Sequence, residues 1–355
     1  MNITRTIYGQ IAHQPPVELF TLDNDRGIRV SATNYGAILT NLQTPDRDGH
    51  IADIVLGCAT LKDYANDQHH FGSTIGRFAG PVDGGQTIID GQAHALPLNA
   101  GAFHIHGGQR GFDRYIWMAQ EINAAHAIGV KFSRISPNGE EGYPGTLMAA
   151  ITYILNEDNE LHLHYDATTD KPTLVNLTNH SYFNLGGHAS GPIDHHILHS
   201  SAIAFNHNDR RVIPSGVVSS VFGTPLDFSI PTAIGKRIND NDEQIWFSLG
   251  YDHMLLLPRD CGMQWAARVM DPHSGRMLDM YTTEPGFQLY TANMLPDGTQ
   301  GKDGAIYGQR QGICLEAQRA PNWPEHPHQT AAILRPGEHY KQTTVFKFST
   351  DNENS

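Results

Sequence analysis

A stretch of chain capable of chemistry begins at Leu174-Val175-Asn176-Leu177-Thr178-Asn179 and continues through His180-Ser181-Tyr182-Phe183-Asn184 to Leu185-Gly186-Gly187. It opens apolar and β-branched and closes on a glycine pair, so it reads as a strand running into a turn. Side chains alternate between the two faces of a strand. One face then carries Asn176, Thr178, His180, Tyr182 and Asn184, and the other carries Val175, Leu177 and Phe183. A strand with one solvated face would also be polar at alternate positions. It would rarely set an imidazole beside a phenol, so this face is read as the floor of a polar ligand site.

A base is the natural counterpart of that imidazole. In Gly312-Ile313-Cys314-Leu315-Glu316-Ala317-Gln318, Ile313, Leu315 and Ala317 share one face, and Cys314, Glu316 and Gln318 share the other. Glu316 lies inside an otherwise apolar strand, where a carboxylate is costly without a partner; an edge strand facing water would fit equally well. Glu284 and Gln288 pose the same question, with Gln288 and Tyr290 on one face. Asp252 stands at the mouth of the apolar run Met254–Leu257, where a turn-forming role is the alternative. His104 and His106 would share a face in an extended segment that ends at Gly107-Gly108. That pair resembles the first half of a cupin metal motif, but Gln109 and Arg110 stand where the motif needs a carboxylate. No metal ligand set is expected.

Short strands must position these groups. Residues 17–22, 28–32, 37–42, 53–56 and 87–92 read as strands parted by turn residues. Residues 146–155 and 161–167 form a clear alternating pair, and Leu161-His162-Leu163-His164-Tyr165-Asp166-Ala167 has period two. Later strands are expected at 254–257, 263–270, 277–281, 286–291, 312–317 and 342–348. Residues 59–70 suit one short helix with Thr60 as its N-cap. The 35 glycines and 20 prolines imply many turns. The pattern predicts one large antiparallel β-sandwich with few short helices, spanning residues 1–355 as a single domain.

A net charge of −13 argues against a nucleic-acid surface. Cys58, Cys261 and Cys314 are scattered and odd in number, which suggests no disulfide framework and a reducing compartment. There is no secretory h-region and no apolar run of the roughly 20 residues needed to span a bilayer. A cytoplasmic protein, monomeric or homodimeric, with no membrane or nucleic-acid partner is expected. Walker, GxSxG and GxGxxG signatures are absent.

Thr178-Asn179-His180-Ser181-Tyr182-Phe183-Asn184-Leu185-Gly186 resembles the TNHxYFNL signature of the aldose 1-epimerases, or galactose mutarotases. Four further pieces match in order. These are His106-Gly107-Gly108 with Arg110-Gly111-Phe112-Asp113 and Trp117; Tyr251-Asp252-His253; Thr282-Thr283-Glu284-Pro285-Gly286-Phe287-Gln288; and Leu315-Glu316-Ala317-Gln318 with Pro321 and Pro327. The resemblance implies the supersandwich fold of galactose mutarotases and a cofactor-free isomerase acting on a monosaccharide. It implies Glu316 as general base and His180 as general acid. It also implies sugar contacts at His106, Asp252 and Gln288, and places Tyr182 and Phe183 in the binding segment. Trp117 is more simply a core residue.

One departure stands out. After Gly-Arg-x-Ala the family typically carries Asn-Arg, a pair that contacts sugar. Here Gly76-Arg77-Phe78-Ala79 is followed by Gly80-Pro81, which removes a guanidinium. Arg77 is the candidate to compensate, with a structural arginine as the alternative. Anomer exchange needs an acid and a base acting together, with Glu316 ionised and His180 protonated at the start. A nearby carboxylate, Asp252 or Glu316, is expected to raise the His180 pKa. Galactose or glucose is the expected substrate. A pentose, a disaccharide or a sugar phosphate is the alternative, as is a non-catalytic sugar-binding role.

Overall fold

Period-two patterning builds the longest ladders. In the computed structural model, which describes residues 1–258, 262–320 and 332–354, the strand Glu160–Thr169 buries Leu161, Leu163, Tyr165 and Ala167 and turns His162, His164 and Asp166 outward. It pairs antiparallel with Leu147–Asn156 on one side and Tyr340–Thr350 on the other. These strands are the centre of a nine-stranded sheet that runs from Met118–Ala124 to Thr232–Ala233. A five-stranded N-terminal meander, Asn2–Gln10 to Ile51–Asp53, packs on it. Phe20 meets Phe132 edge-on across that interface at 5.7 Å.

A second five-stranded sheet positions the chemistry. Its order is Pro214–Ser220, Ala204–Asn208, Asp252–Leu256, Gly286–Tyr290, Cys314–Gln318, all antiparallel. Leu255, Phe287, Leu289, Leu315 and Ala317 join the main buried cluster, together with Leu163, Phe183 and Phe346. Each such side chain contributes about 1.5–3 kcal/mol when fully buried, so this sheet is fastened by its inner face and its other face is free to be polar. The architecture is the expected all-β antiparallel sandwich. Its two α-helices among the described residues are short, Leu61–Asn66 and Glu243–Ser248. Thr60 caps the first through a reciprocal bond with Asp63, as expected. No helix is long and apolar enough to cross a membrane among the described residues.

The stretch 174–187 is not one strand. Thr173–Leu174 pairs with Ile333–Leu334, Thr178–His180 pairs with Ser73–Ile75, and Phe183 bridges Val55 and Ile313. The backbone changes partner every few residues, and its polar side chains satisfy those changes. Asn176 donates to the carbonyls of Ala79 and Arg319, and Asn184 to those of Gly191 and Gln311. Of the five polar residues assigned to one face, His180 and Tyr182 reach the cleft described next. Pro321, Pro327 and Cys261 lie outside the described residues.

Candidate active site

Register sets the floor of the site. Gln288 lies opposite both Met254 and Glu316, and Tyr290 lies opposite both Asp252 and Cys314. Asp252, Gln288, Tyr290, Glu316 and Gln318 therefore arrive on one side of three neighbouring strands and line a cleft of about 370 Å³. His180 and Tyr182 enter from the Thr178–His180 strand and the loop after it. Gly80, Pro81, Phe103, Ile105 and His106 form a wall, built on the pairing of Pro81–Asp83 with Phe103–Ile105. Gly107 lets this wall close. A Cβ there would stand 1.8 Å from the Gly76 carbonyl oxygen, and its φ is +89°. His70 and His106 both adopt left-handed backbone conformations, φ 58° and 53°, which are uncommon outside glycine and cluster at functional sites.

Within the cleft His180 Nε2 lies 3.7 Å from Glu316 Oε1, and its Nδ1 lies 3.6 Å from Cys314 Sγ. Its ring stacks on Tyr182 at 4.9 Å, and Tyr182 is pinned by its hydroxyl donating to the His69 carbonyl. Gln288 Nε2 donates to Asp252 Oδ1 at 2.6 Å. The Gly80 amide donates to His106 Nδ1 at 3.3 Å, so a neutral His106 carries its proton on Nε2. Burial and the neighbouring imidazoles hold His106 well below the usual histidine range, which keeps it neutral.

Burial also governs the central pair. It pushes His180 down to about 3, with His70 adding to the effect. It raises the Glu316 carboxyl well above the usual range, with Asp252 adding to that. Burial raises Asp252 to about 6 against the opposing Gln288 bond. The expected lift of His180 by Asp252 or Glu316 is not found: desolvation dominates, and the carboxylate that does favour its charged form is Asp113. Burial therefore favours the neutral forms of both partners, the protonated Glu316 carboxyl and the unprotonated His180 imidazole.

The sequence matches the family described as Aldose 1-epimerase over residues 18–347. The chain belongs to the aldose 1-epimerase family. It is 40% identical over 350 residues to the galactose mutarotase of Sus scrofa, covering 98% of this chain and 99% of that one. It is 35% identical over 336 residues to the aldose 1-epimerase of Escherichia coli K12, covering 94% and 95%. Among solved structures, galactose 1-epimerase from Lactobacillus acidophilus superposes with a TM-score of 0.87 at 31% identity, covering 98% of this chain and 99% of that one.

Two residues expected at the sugar site, Phe183 from the matched binding segment and Arg77 as the compensating guanidinium, lie elsewhere. Phe183 is buried in the core against Phe346, at 5.1 Å between rings, because it faces away from Tyr182 as strand alternation requires. Arg77 is 2% exposed, and its guanidinium is caged by Ser136 Oγ and by the carbonyls of Ser136, Pro137 and Pro144. It is a structural arginine and does not replace the guanidinium missing at Pro81. His104 also parts from His106, since its ring bonds the Tyr143 hydroxyl and the Pro97 carbonyl. Trp117 is in the core, as expected.

The cleft also holds residues that were not assigned to the site from the sequence. Tyr290 and Gln318 share strand faces with Gln288 and Glu316, and alternation alone could have found them. Cys314 does too, behind the His180 ring. His70 lies 5.1 Å from the His106 ring and 6.1 Å from the His180 ring, and its Nδ1 is 3.1 Å from Asp113 Oδ2. Its only signal was the His69-His70 pair. Arg211 comes from a loop-rich region with no signal. Cys314, His180 and Glu316 offer ligand atoms within 4.8 Å of one another. Burial raises the Cys314 thiol as well as the Glu316 carboxyl, which favours their protonated forms, so a metal must compete with protons there. A larger hollow of about 540 Å³ lies on the N-terminal sheet. Its buried cation, Lys302, is already bound to Asp53 and the Thr40 carbonyl, and no imidazole is among the described residues that line it.

Proposed function

We propose that this protein interconverts the α and β anomers of a hexose such as galactose or glucose, with residues 1–355 working as one unit. The observation that carries the reading is the buried imidazole–carboxyl couple of His180 and Glu316, 3.7 Å apart at the floor of a polar cleft. Ring opening needs one proton removed from the C1 hydroxyl and one delivered to the ring oxygen. Glu316 takes the first and His180 supplies the second. The C1–O5 bond then breaks, the aldehyde rotates about C1–C2, and the reverse transfers close the ring on the other face.

The proton count already matches. Neutral His180 with protonated Glu316 holds the same proton as imidazolium with carboxylate. A shift within the couple gives the working form without exchange with solvent. Bound sugar favours that shift, because its hydroxyls replace the solvation that burial removed. Each positioned group is worth about 10²–10⁴-fold. Neutral His106 donates from Nε2, while Asp252 and Gln288 accept and donate as a fixed pair. Tyr182 offers an aromatic face to the apolar side of the ring.

The test is polarimetry of freshly dissolved α-D-galactose and α-D-glucose. Anomerisation well above the spontaneous rate is expected for both or either, and a rate equal to the spontaneous one sinks the proposal. A panel with xylose, arabinose and maltose ranks the sugars.

A further inference from the structure

The Gly80-Pro81 wall is poor in donors. Proline has no N–H, and the Gly80 amide is already given to His106. The cation on this side of the cleft comes from a distant loop. Arg211 lines the same cleft, and among the described residues it is the only arginine or lysine to do so. Its Nη1 and Nη2 each bond Asp83, two residues past Pro81, at 3.0 Å. Its Nε and Nη2 bond Asp209 at 2.9 and 2.7 Å. Asp209 also builds the turn beneath, accepting from the amides of Arg211 and Ile213. That turn forces Val212, another cleft residue, to φ 61°. A β-branched residue there is a true backbone outlier, and such outliers persist where the surroundings hold them for function.

We propose that Arg211 is a sugar-binding residue that serves the Pro81 side of the cleft and selects uncharged sugars, with Asp83 and Asp209 as its positioning residues. A guanidinium has five N–H donors, and four of them go to the two aspartates, so one on Nη1 remains for a substrate oxygen. The charges also decide what enters. One cation between two carboxylates leaves the cluster net negative, which repels a uronate or a sugar phosphate and leaves a neutral hydroxyl as the partner. The two bonds to Asp83 tie the Pro81–Asp83 strand to the 209–213 turn across the cleft mouth. This inference rests on the anomerase reading and adds a specificity determinant to it.

The test measures kcat and KM separately for galactose and galacturonate in the wild type, Arg211→Ala, Arg211→Lys and Asp83→Asn. Arg211→Ala is expected to raise the galactose KM roughly tenfold with kcat within about twofold, the signature of lost uniform binding. Arg211→Lys, which keeps the charge and loses the fork, should fall between. Asp83→Asn removes one negative charge and should raise kcat/KM for galacturonate relative to galactose at least severalfold. An unchanged galactose KM in Arg211→Ala overturns the proposal. If that variant melts well below the wild type, an unchanged KM in Arg211→Lys overturns it instead. A wild type without activity defeats the anomerase reading, whereas an active wild type with an unchanged KM in these variants defeats the Arg211 role alone.

Discussion

Glu316→Gln isolates the proton chemistry from everything else at the site. The substitution keeps shape and size. Glu316 is 2% exposed, and burial favours its protonated, neutral form. Glutamine therefore replaces one neutral group by another, and the melting temperature should move by no more than a few degrees. An amide can still donate to and accept from a sugar hydroxyl, so KM should stay close to the wild-type value. What is lost is the ability to take and return a proton. At about 10²–10⁴-fold for a positioned acid or base, kcat should fall by about 10³, equivalent to about 4 kcal/mol in the barrier. Polarimetry on fresh α-D-galactose, corrected for the spontaneous rate, measures this directly. A kcat within tenfold of wild type, in a folded variant, refutes the assignment.

The 3.7 Å separation of His180 and Glu316 makes a sharper demand. If the two hold one proton between them, removing either breaks the same step. His180→Asn combined with Glu316→Gln should then be no slower than the worse single variant, since groups that act as a unit are far from additive. Losses that multiply would show that the two residues act independently, and the shared-proton account would fail.

Other groups in and near the cleft give three further expectations. Glu284 is buried with Oε2 3.7 Å from Arg319 Nε, and burial raises it from 4.5 to about 7. The folded state therefore holds the extra proton, and this stability is present below pH 4.5 and lost as pH rises through 7, so Glu284→Gln should gain up to about 3 kcal/mol over wild type between pH 5 and 8; equal melting shifts at both pH values refute this. His70 opposes protonation of His180 by like charge, so His70→Gln should move the pH profile of kcat/KM to higher pH, and an unmoved profile refutes the coupling. EDTA should leave the rate unchanged, while Zn²⁺ should inhibit in competition with sugar through Cys314, His180 and Glu316. That inhibition should grow with pH as the ligands lose protons and weaken at least tenfold in Cys314→Ala; equal inhibition of both proteins refutes the site.

What was legible in the sequence was local. Alternation alone put Cys314, Glu316 and Gln318 on one face and Gln288 and Tyr290 on another, and these are the faces that line the cleft. Alternation also set Phe183 opposite Tyr182, and the structure follows that physical rule where the motif carried Phe183 into the sugar site. The broken path of 174–187 was not legible, because a strand and a segment that trades partners can share one hydrophobic pattern until the partners are known. The His180 pKa was hidden for a related reason. A nearby carboxylate could be inferred, but the degree of burial that outweighs it depends on three strands brought together from distant parts of the chain.

Arginine shows the limit most clearly. Arg77 sits in the motif next to the Gly80-Pro81 departure, so proximity in sequence made it the candidate to replace a missing guanidinium. The same proximity cannot tell a side chain that faces a ligand from one that ties down its own loop, and Arg77 spends its fork on Ser136 and on backbone carbonyls. A guanidinium needs acceptors that hold its plane, and Arg211 finds them in Asp209 nearby in the chain and in Asp83 far from it. Only a folded chain brings 83 and 211 together. A loss at position 81 can then be met from a loop with no trace of the motif, and under the Arg211 proposal the sugar preference turns on the partners of Arg211 more than on the identity of residue 81.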